Sequence, residues 1–286
     1  MENLKYLQNV FFLLVMGFSF NIICACSDDE ENEPFKEPNK EQTANSSGDS
    51  ENGGMNPADS IMPPAEEPVL PNDSTSGGEN EQFLFSDTIM VDGHGAIDLG
   101  LPSGLKWAIC NVGDSLPEGY GEHYAWGETE EKSDYFWDTY KWSNSSGDSL
   151  TKYCTDDKYG VDDDKTVIEP KDDVAHVKWG SSWRMPTIEE IKELVNNCSW
   201  KWITYKGING QLVTGPNGNC IFLPAAGDRT GTSFSARGSF GNYWSATLKE
   251  FYDNFACYLY FCDDGSVWHY YGGRDDGHSV RPVTDK

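Results

Sequence analysis

The sequence predicts an α+β domain of many short strands and loops with two helices, and three observations carry that prediction. From about residue 83 onward glycine and proline recur every few residues, which limits most elements to short strands and loops. Two segments of that region, PKDDVAHVKWG and MPTIEEIKELVNNC, combine helical spacing of apolar residues with N-terminal caps. Between them and the C-terminus, QLVTGPNGNCIFLPAAG has two apolar or alternating runs around a Pro216, Asn217, Gly218 turn, the pattern of a hairpin.

The chain starts with an element outside that domain. MENLKYLQNVFFLLVMGFSFNIICACSDDEEN has a lysine near its start, an apolar run from Val10 to Ile23, and small residues before a cysteine. This is the pattern of a signal peptide, and the run is too short for a permanent span. Ile23, Cys24 and Ala25 resemble the lipobox of a bacterial lipoprotein signal. That resemblance implies removal of residues 1–25, lipidation of Cys26 and attachment to the membrane through the lipid. SDDEEN, directly after Cys26, resembles the acidic export signal of Bacteroidota lipoproteins, which implies the outer membrane and its exposed surface as the location.

Residues 26–82 follow as a tether. They are rich in Pro, Gly, Ser, Asn and Glu, poor in aromatics, and hold only Lys36 and Lys40 as cations. Such a segment buries too little apolar surface to offset its ordering entropy, so it is expected to be disordered. A flexible chain of about 55 residues would hold the next domain on the order of 40 Å from its anchor. The formal net charge of the whole chain is -26. A surface this acidic repels phosphate backbones, so nucleic acid is not an expected partner.

Residues 83–286 contain all ten tryptophans, and their length suits one domain with a sizeable core. Thr187 stands at the N-cap of the second helix with Glu190 three residues on, a capping box, and Ile188, Ile191, Leu194 and Val195 share one face. Asp172 or Asp173 caps the first, shorter helix. Of the eight cysteines, Cys24 leaves with the signal and Cys26 carries lipid. Cys110, Cys154, Cys198, Cys220, Cys257 and Cys262 remain; an exported protein could pair them, but the sequence does not give the connectivity.

DLGLPSGLKWAICNVG, YAWGET, DDVAHVKWGSSWRMPT, FLPAAG, GNYWSAT and the closing HSVRPV resemble, in order and through nearly all of residues 83–286, the Fibrobacter succinogenes major paralogous domain. That resemblance implies a C-type-lectin-like fold with short twisted antiparallel sheets, two helices and long loops, related to formylglycine-generating enzymes. Trp107, Trp126, Trp179, Trp183 and Trp244 lie in these motifs and are expected in the core. Arg281, just before Pro282, is expected to make a buried ion pair or carbonyl contacts.

The candidate chemistries are few. An oxidase-like reaction, which the resemblance raises, needs a reactive cysteine pair. Cys257 and Cys262 are the nearest candidates, but their odd spacing puts them on opposite faces of a strand and the neighbouring aspartates would raise a thiol pKa. No G-x-S-x-G occurs, and the histidines His94, His123, His176, His269 and His278 fall in unrelated contexts. DDKYGVDDDKT lacks the acid spacing and central glycine of an EF-hand loop and reads as solvated. Neither a catalytic residue nor a metal or other cofactor is expected. Ser60, Thr88, Ser115 and Ser149, each between Asp and an aliphatic residue, resemble the O-glycosylation motif of Bacteroidota.

The last informative stretch is FYDNFACYLYFCDDGSVWHYYGGRDDGH, from Phe251 to His278. Read with period two, ACYLYFC puts Leu259 and Phe261 on one face and Tyr258, Tyr260 and Cys262 on the other, so that one face packs and the other shows aromatics to solvent. The stretch contains no Lys, Glu, Gln or Met, and only Trp268 cannot be encoded by a codon ending in C. Such a set follows from randomising the adenines of AAC codons and resembles the variable region of diversity-generating retroelement targets. The reading makes Trp244, Ala256, Leu259, Phe261, Val267, Arg274, Gly277, Ser279, Val280, Arg281 and Pro282 scaffold. The displayed, ligand-binding positions are then Phe251, Tyr252, Asp253 and Asn254, with Tyr258 and Tyr260 in the alternating run. They continue through Asp263, Asp264, His269, Tyr270, Tyr271, Asp275, Asp276 and His278. Tyrosines give large contact area at low entropic cost and short polar residues adapt to a partner. The expected function is binding of an external glycan or protein by a surface lipoprotein, an adhesin diversified by a retroelement; the alternatives are a structural envelope or stalk protein and an enzyme of the formylglycine-generating type.

Overall fold

The computed structural model describes Phe85 and residues 87–286, so the expected signal peptide, the lipidation at Cys26 and the tether all lie outside the described residues. In chain order the first strands are β1 (Ile89–Val91), β2 (His94–Asp98) and β3 (Lys106–Ala108). A 3₁₀ turn at Pro170–Asp172 leads into helix α1 (Val174–Trp179), and α2 (Ile188–Asn197) follows. Then come β4 (Ser199–Tyr205), β5 (Ile208–Thr214), β6 (Cys220–Pro224), β7 (Asp228–Thr230) and β8 (Ser233–Ser235). The last four strands are β9 (Phe240–Leu248), β10 (Phe255–Cys262), β11 (Val267–Gly273) and β12 (Val283–Thr284). They form four antiparallel sheets with orders β1-β2-β3-β12, β11-β10-β9, β4-β5-β6 and β7-β8. The class is therefore α+β.

Local sequence explains the helices. Asp173, rather than Asp172, caps α1: its side chain accepts from the main-chain N–H of Ala175 and His176 and also from Met185. Asp172 instead takes Lys152 and the Tyr153 hydroxyl as partners, with Lys141 at 3.4 Å. In α2 the Thr187–Glu190 capping box is complete, and Arg184 forks onto the Glu190 carboxylate at 2.6 and 2.7 Å. Ile191 and Leu194 are buried, with Ile188 and Val195 packed at the margin. The β5–β6 hairpin turns where the Pro-Asn-Gly signal stands, Thr214 pairing with Cys220.

The core has two large parts with the β9–β10 pair between them. Tyr243, Leu259 and Phe261 pack with Trp107, Ile191, Leu194 and Leu223. Trp244, Ala256 and Tyr258 pack with Trp126, Trp179 and Trp183. The expected tryptophans are thus all core. The sheet is buried on both sides at its centre, which corrects the expectation that one face of β10 shows its aromatics to solvent. Tyr258 is only 8% exposed, since its face lies against Trp244.

Two buried arginines tie the C-terminal segment to the rest. Arg281 donates to Asn111 Oδ1 at 2.8 Å and to the carbonyls of Ala108 and Phe222, so the carbonyl alternative holds. Arg274 donates to the carbonyls of Lys152, Tyr153 and Asp253 at 2.9 Å and to the Tyr140 hydroxyl at 3.0 Å. Its guanidinium also lies 4.9 Å from the Trp126 ring centre.

Candidate functional site

In an antiparallel pair, opposed residues share a face. Tyr258 opposes Tyr270 and Trp244, and Tyr260 opposes Trp268 and Asn242, so these six form one face of the β9–β11 sheet. Its inner floor is buried, but toward the edge strand it opens: Trp268 and Tyr270 are exposed. Cys257 opposes Tyr271 and Leu259 opposes His269 on the other face. Strand β11 has a partner on one side only, and from Trp268 to Tyr271 its side chains are exposed in both directions. An edge strand so aromatic is unusual for a surface that only has to stay soluble.

The aromatic contacts are graded from floor to rim. His278 lies 4.0 Å from the Trp244 ring centre and 4.7 Å from Tyr258, which meets Tyr270 edge-on at 5.9 Å. Tyr270 stacks on Tyr271 at 5.1 Å, and Tyr271 meets Phe255 and the Lys249 ammonium. The rim is therefore braced by rings that contact the core, which lowers the entropy lost on binding.

Carboxylates stand beside the aromatics. Asp228 on β7 accepts from Asn242 Nδ2 at 3.1 Å, and Asp276 accepts from Thr230 Oγ1 at 3.0 Å. A Cβ added to Gly273 would stand 2.8 Å from Asp275 Oδ1 and 3.3 Å from Asp276 Oδ2, so both carboxylates converge on the end of β11. A Cβ on Gly272 would meet Tyr258 at 3.0 Å and His278 Nε2 at 3.7 Å. Neighbouring side chains already stand where those Cβ atoms would be, so close approach calls for glycine at both positions. Burial raises Asp228 and Asp275 to about 6 each. It raises Asp276 to about 7, with the Asp275 and Asp228 charges adding to the effect. Burial also lowers His278 to about 3, which keeps the ring neutral.

The structure sorts the predicted positions. Phe251, Tyr252, His269, Tyr270 and Tyr271 are exposed, with Phe251 at 72%. Asn254, Tyr260 and Asp276 are half-buried. Asp253, Tyr258 and His278 are corrected: each is buried and serves the scaffold. Asp253 accepts from the main chain of Thr155 and Asp156 and from the Thr155 hydroxyl, fixing that loop to the turn before β10. His278 fills the space over Trp244, and its main-chain N–H and carbonyl both pair with Tyr124. Asp275 is also largely buried, at 9% exposure. Asp263 and Asp264 are exposed but sit in the β10–β11 turn, about six strand residues or roughly 20 Å from Gly273. Asp264 serves that turn by accepting from Ser266 N at 2.7 Å. The scaffold positions are buried as expected, Val267 being half-buried.

Sequence reasoning missed Asp228, Thr230, Asn242 and Trp268. The first two come from a short hairpin far from the variable stretch, and nothing in their local pattern marks them. Trp268 was set aside by the codon argument, although its exposure equals that of Tyr271 at 40%.

The other candidates have structural employment. Burial raises the Cys257 thiol, Lys249 and Lys192 opposing it, and Cys257 and Cys262 project to opposite faces of β10. Among the described residues no disulfide joins the six cysteines and no three His, Cys, Asp or Glu side chains are grouped to hold a metal. In the DDKYGVDDDKT loop, Asp162 accepts from Asp164 N, a local turn bond, and Asp163 accepts from the main-chain N–H of buried Cys154, tying the loop back to the domain. No family model, no curated protein and no solved structure matches the chain.

Proposed function

We propose that the chain is a surface lipoprotein that recognises an external ligand, a glycan or a protein, through the β10–β11 hairpin and the loops beside it. The observation that carries this reading is the rim of exposed aromatics, Phe251, Tyr252, Trp268, Tyr270 and Tyr271, set on a sheet whose centre is rigid core. Rigid aromatic anchors next to short polar side chains are the makings of a binding hot spot. A lectin-like fold and membership of the major paralogous family rest on the sequence motifs, and the packing of HSVRPV on GNYWSAT, with His278 over Trp244 and Arg281 against Tyr243, supports them. The same holds for diversification by a retroelement: it rests on the AAC-derived residue set, and the exposure of Phe251, Tyr252, His269, Tyr270 and Tyr271 within that stretch supports it. We read the protein as a binder rather than an enzyme, since burial raises the Cys257 thiol instead of activating it.

The test is to replace Tyr270 and Tyr271 with Ala in the full chain and screen glycan and peptide arrays. Retained folding with lost binding supports recognition; unchanged binding overturns it. Sequencing the gene in several isolates tests diversification: a near-identical downstream repeat differing at adenines, beside a reverse transcriptase, is expected, and an invariant gene end without the repeat refutes it. A second reading, self-association, is favoured by the one-sided pairing of β11. A sedimentation coefficient that rises with concentration, and ceases to rise after Tyr270→Lys, would select it.

A further inference from the structure

The carboxylates under the aromatic rim narrow the ligand. This inference rests on the recognition reading above. Neither Asp228 nor Asp276 has an ion-pair partner among the described residues, although both are half-buried. The nearest cation in sequence, Arg229, turns its guanidinium away, to the carbonyls of Lys132 and Ser133 and to the rings of Tyr135 and Phe234. Lys132 reaches toward Asp275 and is held by Glu128 at 3.0 Å. Two withdrawn carboxylates without a counter-charge are costly to the fold alone.

A second observation is independent of the acids. Asn242 is 4% exposed, and its amide nitrogen is spent on Asp228, yet its carbonyl oxygen Oδ1 is buried without a partner. The Ser235 hydroxyl and the Asn242 amide are the donors that face Asp228, and its Oδ1 is likewise buried without a hydrogen bond of its own. Both are acceptors, so what is missing is a donor. Tyr260, which opposes Asn242, and the exposed Tyr270 lie on the same face of the sheet, and a cation can rest on such rings.

We propose that the face binds a protein ligand through one basic side chain, a lysine ammonium or an arginine guanidinium, seated on Asp228 and Asp276 with Asn242 Oδ1 as a further acceptor and the tyrosines around it. The cation supplies the missing donors and counter-charge together. A neutral sugar hydroxyl supplies a donor but no charge, which is why a protein is favoured over a glycan.

The test titrates the full chain at pH 8 with N-acetyl-arginine amide and N-acetyl-lysine amide, with the uncharged citrulline analogue as control, following the side-chain resonances of Asn242 and the tyrosines. Binding by a basic compound but not by citrulline is expected, weakened about tenfold by Asp276→Asn or Asp228→Asn, near-isosteric changes that keep the chain folded. Equal response to citrulline, or no loss in both Asn variants, overturns the proposal. A random peptide library and a glycan array screened on the same chain separate the two levels of inference. Peptides that require both Tyr270 and one of their own Lys or Arg residues support the cationic seat. Neutral or acidic peptides, or glycans, that require Tyr270 overturn the seat and leave recognition standing. If nothing selected depends on Tyr270 or Tyr271, both fall.

Discussion

The His278 imidazole lies over the Trp244 indole with ring centres 4.0 Å apart, and neither ring nitrogen makes a hydrogen bond. A histidine thus does the work of an apolar ring under the recognition face, and it does so only while neutral. Its pKa in the fold is about 3, against 6.5 for the ordinary side chain. As pH falls the unfolded chain takes up this proton first, so the stability contributed by His278 is complete above pH 6.5 and is lost between pH 6.5 and pH 3. His123, lowered to about 4 chiefly by burial, acts with the same sign. Replacing His278 with Phe should preserve the stack and reduce the loss of melting temperature between pH 6.5 and pH 4; an unchanged acid profile would show that other groups govern it.

The carboxylates act in the opposite direction. Asp276 is raised from 3.8 to about 7, so its contribution to stability is full below pH 3.8 and is lost as pH rises through 7. Asp276→Asn should therefore stabilise the chain at pH 8, by about 1–2 kcal/mol because part of the carboxylate reaches solvent, and change little at pH 4. Thermal unfolding at the two pH values measures this. The variant that binds a cation less well should be the more stable one.

Alanine replacements across three neighbouring tyrosines should divide them. Tyr270→Ala and Tyr271→Ala should change stability by about 0.5 kcal/mol or less, since these rings are exposed. Tyr258→Ala removes a ring enclosed by Trp244, His278 and Tyr270 and should cost about 3 kcal/mol. Denaturant unfolding distinguishes them, and equal costs would contradict the placement of Tyr258 in the core.

Arg274→Lys and Arg281→Lys should each cost about 3 kcal/mol or more although charge is kept. An ammonium cannot reach the carbonyls of Lys152, Tyr153 and Asp253 together, nor those of Ala108 and Phe222 along with Asn111. Chemical denaturation of the two variants provides the check; a small effect in both would mean that water replaces the lost donors.

The sequence by itself determined those features whose causes are local. The Thr187 capping box, the apolar face of Ile191 and Leu194, the Pro-Asn-Gly turn and the alternation of β10 depend on residues within a few positions of one another, and the structure contains each of them. It also separated most scaffold positions from displayed ones in the final stretch, because Leu259, Phe261 and Arg274 differ in kind from the residues around them. Tertiary structure alone decided which polar and aromatic residues face solvent. Period two assigns Tyr258 and Tyr260 to one face but does not reveal that Trp244 and His278 cover the first, and Asp253 is an acid like Asp263 until the Thr155 loop closes over it. Asp228 and Asn242 joined the candidate site only through the folding of β7 against β9. Burial and partnership depend on contacts between residues distant in sequence, and those contacts set both the charge of a carboxylate and the fate of an aromatic ring.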